Sequence, residues 1–305
     1  MFFVAIRLVE VRFNRIFPMI RRSLLLALVL TVSLVAQSAD EADGPLKVET
    51  PLTLPGAETF IYSEVQPEPM RLHVFKPADW SAADQRPAWI HFFGGGFLNG
   101  TPLQSAGYGR NAAKLGLVGI AVDYRVKNRH GTDASACVAD ARAALHWVQT
   151  HAAELGIDPT RVIVSGSSAG GHLALWTAIT HSPWGSDPGK APPHKPAALI
   201  LLSAASDTSE VTGQRANRFA GRGTELSPAQ HLDEKMPPTL LFHGDADPTV
   251  PYKYSVALHD KLRATGNDCE IVTLPGGAHN LNTPEQRATI AARSKSFLQR
   301  LRLLL

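Results

Sequence analysis

From residue 59 onward, short apolar runs alternate with longer segments in which apolar positions recur every three or four residues. The runs cover 59–64, 72–75, 88–93, 118–122, 162–165, 198–202, 239–243 and 270–274, and most are apolar on both faces. The periodic segments cover 134–155, 170–180, 254–265 and 284–304 and read as helices. Strands buried on both faces and separated by helices specify an α/β fold: a mostly parallel central sheet of about eight strands, flanked by helices. The first two runs are joined closely and read as an antiparallel edge.

In such sheets ligands bind beyond the carboxyl ends of the strands, so the residues just after each run are where chemistry is expected. After the run at 162–165 comes Gly166-Ser167-Ser168-Ala169-Gly170, which then opens a helix. Two glycines permit a turn too tight for side chains, and the central Ser168 is thrust out at the top of the sheet. A serine hydroxyl needs a base, and His279 lies in Gly276-Gly277-Ala278-His279, just after the last run. An imidazole needs a carboxylate to hold its tautomer, and Gly244-Asp245-Ala246-Asp247-Pro248 supplies two candidates after another strand. Each of these segments alone could be an ordinary turn. Together they fall at strand ends in the order Ser, Asp, His, which is the α/β-hydrolase order. After the run at 88–93, Gly94-Gly95-Gly96 exposes backbone N–H groups that, with the N–H of Ala169, can receive a developing oxyanion. No Gly-Lys-Ser/Thr follows those glycines, so the segment is not a phosphate loop.

These residues make the chain similar to the hormone-sensitive-lipase-like and acetyl-esterase branch of the α/β-hydrolases, from about residue 72 to the C-terminus. The likeness rests on the Gly-rich loop, Asp123-Tyr124-Arg125, Gly166 to His172, His243-Gly244 with Asp247 and Val250-Pro251, and Gly277-Ala278-His279. In that family the triad carboxylate stands three residues before Val-Pro. The resemblance therefore implies Asp247, not Asp245, as partner of His279 and Ser168. It also implies Gly95, Gly96 and Ala169 as oxyanion donors, and no metal or organic cofactor. There is one departure: the family carries His immediately before the three glycines, whereas this chain has Phe93 there and His91 two residues earlier. That histidine fixes the loop and performs no chemistry, so the departure bears on loop geometry. Tyr124 and Arg125 are expected to be structural, with Arg125 bonding loop carbonyls near the site.

Composition adds a leader. Arg21-Arg22 precedes an apolar run of 13 residues at 24–36, followed by Gln37-Ser38 and acidic residues. Such a run is too short to span a bilayer comfortably and has a signal-peptide pattern. Residues 1–38 are therefore expected to be a signal peptide cleaved after Ser38, with Met19 as the true start and 39–305 as one catalytic domain, secreted or periplasmic and with no stable membrane span after cleavage. The chain carries +3, but residues 1–38 hold five Arg and one Glu, leaving 25 basic against 26 acidic residues. A near-neutral domain offers no footprint for nucleic acid. Cys137 and Cys269 have no metal-type spacing and are expected to be free thiols.

The segment from Ser203 to Met236 is polar around Phe219 and reads as a short, open lid. Long-chain lipases need extended apolar surface there, so a short acyl group is expected, with acetyl on a carbohydrate or small-molecule alcohol as the substrate class. Two other readings compete with this one. A prolyl-oligopeptidase-type exopeptidase shares the triad order but usually carries a propeller domain, for which no room precedes the sheet. A non-catalytic binding protein on a hydrolase scaffold typically lacks Ser or His, and both are present here.

Overall fold

The computed structural model describes residues 50–181 and 192–304. The expected leader, residues 1–38, lies outside the described residues.

Eight strands form one sheet: β1 (Glu58–Ser63), β2 (Met70–Phe75), β3 (Arg86–Phe92), β4 (Val118–Val122), β5 (Ile157–Ser167), β6 (Ala198–Leu202), β7 (Thr239–Gly244) and β8 (Cys269–Leu274). Their order is β1-β2-β4-β3-β5-β6-β7-β8. The first two strands do form an antiparallel edge, and β2 also meets β4 antiparallel. All other pairings are parallel. Every residue of β4, β6 and β7 is buried, because helices cover both faces of a parallel sheet.

Among the described residues, five helices of eight residues or more pack on it: α1 (Ala106–Lys114), α2 (Ala134–Thr150), α3 (Ala169–Ala178), α4 (Lys253–Ala264) and α5 (Pro284–Arg300). Helix α3 is buried along its whole length, which explains its apolar sequence on every side. Helix α1 was not expected from the sequence, since Gly107 and Gly109 weaken the helical signal. The structure gives Gly109 its reason: a Cβ there would lie 2.4 Å from the Phe75 ring, and one on Gly119 would meet the Gly109 carbonyl at 2.1 Å. The helix lies directly on the backbone of β4.

Arg125 corrects an expectation. Its guanidinium does not reach the loops of the site but grips Asp140 on α2, Nη2 to Oδ1 at 2.7 Å and Nε to Oδ2 at 2.9 Å. The same carboxylate accepts the Arg125 backbone N–H at 2.8 Å. The Asp140 side chain is 3% exposed and that of Arg125 21%, so the pair ties the end of β4 to a buried carboxylate on α2. Cys137, also on α2, and Cys269 on β8 are both buried and free.

Removing one partner of a buried ion pair leaves the other charge uncompensated. Arg125→Ala is therefore expected to lower unfolding free energy by on the order of 3 kcal/mol. The shift in the urea midpoint measures it; a shift within error of zero contradicts this account.

Candidate active site

Three residues from three loops meet above the carboxyl edge of the sheet. Ser168, at the turn from β5 into α3, has φ 55° and ψ −116°, a conformation that costs a non-glycine residue on the order of 1–3 kcal/mol. Its backbone is pinned: the N–H donates to the Leu202 carbonyl at 2.8 Å, and its carbonyl accepts from the N–H groups of Gly171, His172 and Ala205. The flanking glycines are required by proximity. A Cβ on Gly166 would sit 2.1 Å from the Gly170 carbonyl oxygen, and one on Gly170 would sit 2.1 Å from that of Phe92.

His279, in the loop after β8, places Nε2 2.9 Å from Ser168 Oγ and Nδ1 2.7 Å from Asp247 Oδ2. The carboxylate takes the Nδ1 proton as an acceptor, which leaves the Nε2 lone pair facing the serine hydroxyl. Asp247 Oδ1 accepts the N–H groups of Thr249 at 2.8 Å and Val250 at 3.0 Å. Burial acts to raise this carboxyl's pKa, but the His279 hydrogen bond, the two backbone N–H groups and the His279 charge outweigh it and hold it below the usual carboxylate range. Asp245, the other candidate, is exposed and accepts the Gly276 N–H at 2.6 Å, away from His279.

A second histidine, His243, touches Asp247; it belongs to the motif that carries the family resemblance, but the motif assigns it no role. His243 Nε2 lies 3.1 Å from Asp247 Oδ2 and 3.0 Å from the Val250 carbonyl, while Nδ1 lies 2.6 Å from Ser255 Oγ. Two acceptors face Nε2, so it carries the proton; Nδ1 accepts the Ser255 hydroxyl. Burial lowers the His243 pKa, which favours the neutral ring. Its role rests on contacts four, seven and twelve residues away that only the turn after β7 creates.

The Gly-rich loop lies against this group. A Cβ on Gly94 would come 3.1 Å from the Ser167 carbonyl and 3.4 Å from Ser168 Cβ, so the loop is held in contact with the serine turn. Gly95 and Gly96 have φ of 143° and 62°, and a Cβ on Gly95 would overlap the Asn99 carbonyl at 1.9 Å. Ala169, the first residue of α3, has an N–H with no acceptor inside the helix. Gly95, Gly96 and Ala169 line one cavity with Ser168 and His279.

Phe93 replaces the family's loop histidine without loosening the loop. Tyr124 stacks on it at 4.0 Å and donates its hydroxyl to the Phe93 carbonyl at 2.7 Å. Downstream, the N–H groups of Lys127 and Asn128 donate to the carbonyls of Phe97 and Leu98, each at 3.0 Å. His91 is buried beneath, stacked on Tyr108 at 3.6 Å, and burial pushes its pKa down to about 3.

The cavity has a volume of about 780 Å³. The 203–236 segment forms one wall, but Phe219 does not stand free at the rim: it is buried, edge-on to Phe97 at 5.3 Å. Thr208, Glu210, Arg215 and Arg218 give that wall its polar lining. Among the described residues no cluster of His, Cys, Asp and Glu could hold a metal ion, and no helix is long and apolar enough to cross a membrane.

The BD-FAE family model matches residues 72–187 and 202–262. Among solved structures, esterase 2 of Thermogutta terrifontis in its propionate-bound form aligns at TM-score 0.74 and 35% identity, covering 82% of this chain and 96% of that one. The same esterase is also known phosphorylated by paraoxon, at TM-score 0.74 and 35% identity, with 82% and 96% covered. Among curated relatives, the carboxylesterase NlhH of Mycobacterium tuberculosis is 31% identical over 195 residues, covering 60% of this chain and 59% of that protein. Esterase LipQ of the same organism is 25% identical over 216 residues, covering 64% and 50%. The chain spans about half the length of the curated relatives it matches.

A carboxyl whose folded pKa is depressed stabilises the fold above its unfolded pKa of about 3.8, and that contribution is lost as pH falls through the folded value. The stability of the protein relative to Asp247→Asn is therefore expected to be constant from pH 6 to about pH 4 and to decline below it. Urea unfolding of both proteins at pH 5 and pH 3 measures this; an unchanged difference argues against an ionised, hydrogen-bonded Asp247.

Proposed function

Since the chain belongs to the BD-FAE family and has the α/β-hydrolase fold, we propose that it is a serine carboxylic-ester hydrolase that works through an acyl-enzyme. The observation that carries this is the unbroken relay from Ser168 through His279 to the buried Asp247, with hydrogen bonds of 2.9 and 2.7 Å, at the floor of a cavity.

The chemistry follows from the geometry. His279 Nε2 takes the Ser168 proton as Oγ attacks the ester carbonyl, and Asp247 stabilises the imidazolium that forms. The N–H groups of Gly95, Gly96 and Ala169, which line the same cavity, receive the charge on the carbonyl oxygen. His279 returns the proton to the departing alcohol, and water then repeats the sequence on the acyl-enzyme. His243 acts one step removed: as a neutral donor it fixes the Asp247 carboxylate without competing with His279 for charge.

We further propose a short acyl group, acetyl foremost, and an exported protein acting on carbohydrate or small-molecule esters. The polar side chains of Thr208, Glu210, Arg215 and Arg218 along one wall of the cavity support a short acyl group. The propionate-bound and butyrate-bound structures of Thermogutta terrifontis esterase 2 support short acids, and its phosphorylation by paraoxon supports an activated nucleophile. The Arg-Arg and apolar pattern at 21–36 supports export.

Turnover of 4-nitrophenyl acetate and butyrate is expected to exceed that of octanoate and laurate by at least about tenfold in kcat/KM, the size of effect a pocket of fixed depth produces. Ser168→Ala is expected to lose on the order of 10⁴-fold or more in kcat. Equal, slow hydrolysis of all four esters by both proteins would sink the reading. Acetate release from acetylated xylan tests the carbohydrate arm.

A further inference from the structure

Two guanidiniums line the cavity beside the Gly-rich loop. Arg215 and Arg218 lie three residues apart in a 3₁₀ segment, Gly213–Phe219, where positions i and i+3 eclipse and share one face. Arg215 donates Nη1 to the Thr249 carbonyl at 3.1 Å. Arg218 lies against the Gly96 backbone, so closely that a Cβ on Gly96 would meet its Nη1 at 2.7 Å. Its Nε is buried and has no hydrogen-bond partner. Burial, and then the charge of Arg215, both lower the pKa of Arg218, as expected for a cation with no counter-ion close by.

The acids on the same wall are already engaged. Asp207 accepts from the backbone N–H and hydroxyl of Ser209 and from the Ser227 hydroxyl, at 2.9, 2.6 and 2.9 Å. Glu210 holds Lys253 at 3.1 Å and the Tyr254 hydroxyl at 3.2 Å. Arg222, further along the segment, has its own acid, Glu225, at 2.8 Å. Among the described residues no ion pair to an acid is formed by Arg215 or Arg218. Two like charges on one face, one of them with a buried and unsatisfied N–H, are unfavourable until an anion arrives.

From this we infer that the cavity is built for esters that carry a carboxylate, which Arg218, with Arg215 beside it, binds while the scissile carbonyl lies at the Gly-rich loop. A guanidinium presents paired donors that match a carboxylate, and in a partly desolvated cavity such a contact outweighs one in open water. The carboxylate can belong to the alcohol, as in an acylated hydroxy acid or acidic sugar, or to the acyl group, as in a half-ester of a dicarboxylic acid. This inference rests on the esterase reading above.

The test compares matched esters that differ in charge. For the alcohol side the pair is 4-acetoxybenzoate and 4-acetoxybenzamide; for the acyl side it is 4-nitrophenyl hydrogen adipate and 4-nitrophenyl hexanoate. The quantity read is the ratio of kcat/KM within each pair, compared between the protein and Arg218→Met so that intrinsic reactivity cancels. In at least one pair the preference for the anion is expected to fall about tenfold in Arg218→Met. Arg218→Lys should retain part of it, and added salt should erode it in the unsubstituted protein. Ratios unchanged in both pairs overturn the inference, because an arginine that only buttressed the loop would change both members alike. Calorimetric titration of the Ser168→Ala protein with benzoate and benzamide reads the anion site without turnover. Tighter benzoate binding that disappears with Arg218→Met supports the site, and equal binding of the two removes it. If 4-nitrophenyl acetate is not hydrolysed, the esterase reading fails, and the calorimetry still decides the anion site.

Discussion

Where β5 ends, the first turn of α3 approaches the strand it has just left and the neighbouring β3 so closely that no side chain fits between them. The carbonyl oxygens of Gly170 and Phe92 occupy the positions where Cβ atoms on Gly166 and Gly170 would stand. That backbone-to-backbone approach forces Ser168 into its unusual dihedral angles, turns its side chain away from the sheet and aims the start of α3 at the cavity. The Gly-rich loop then has only one surface to lie on, the serine turn itself, and Gly94 touches it. The placement of nucleophile and amide donors is thus one consequence of one steric condition.

On the opposite side the organising quantity is charge. Asp247 is buried beneath His279, and an isolated carboxylate there would be costly. Thr249, Val250, His279 and His243 supply four donors to its two oxygens, and they keep it ionised against the effect of burial. Neutral His243 is well suited to this: a cation in its place would compete with His279 for the carboxylate, and an apolar ring would leave an oxygen less satisfied. The loops after β7 and β8 are fixed relative to each other through this network, and a Cβ on Gly244 would meet the Gly277 carbonyl at 2.0 Å.

The strands, the serine and the base could be read from the chain because each sits in a local pattern, an apolar run followed at once by a turn carrying one reactive side chain; the turn after β7 carries both Asp245 and Asp247, and the family resemblance was needed to choose the acid. Helix α1 could not, since its glycines serve a close contact with Phe75 and β4 that no local pattern encodes. Arg125 was misread for a related reason. Its position after β4 pointed toward the site, whereas its partner Asp140 becomes visible only once α2 is laid across the sheet. Tyr124 does the work assigned by resemblance to a histidine before the glycines, reaching the loop from the next strand over. The polar character of the 203–236 segment was legible, but the lack of acidic partners at Arg215 and Arg218 was not, because it depends on where Asp207 and Glu210 direct their hydrogen bonds.

Ser168 also bears on how such a chain changes over generations. At φ 55° a glycine would be more comfortable than the serine that stands there, so folding alone gives this position no reason to keep its side chain. Selection for sturdiness and selection for chemistry pull in opposite directions at this single residue. A lineage whose substrate disappeared would find the loss of its nucleophile an easy step, with a sounder scaffold as the result, which is one route by which an enzyme becomes a binding protein without altering its architecture.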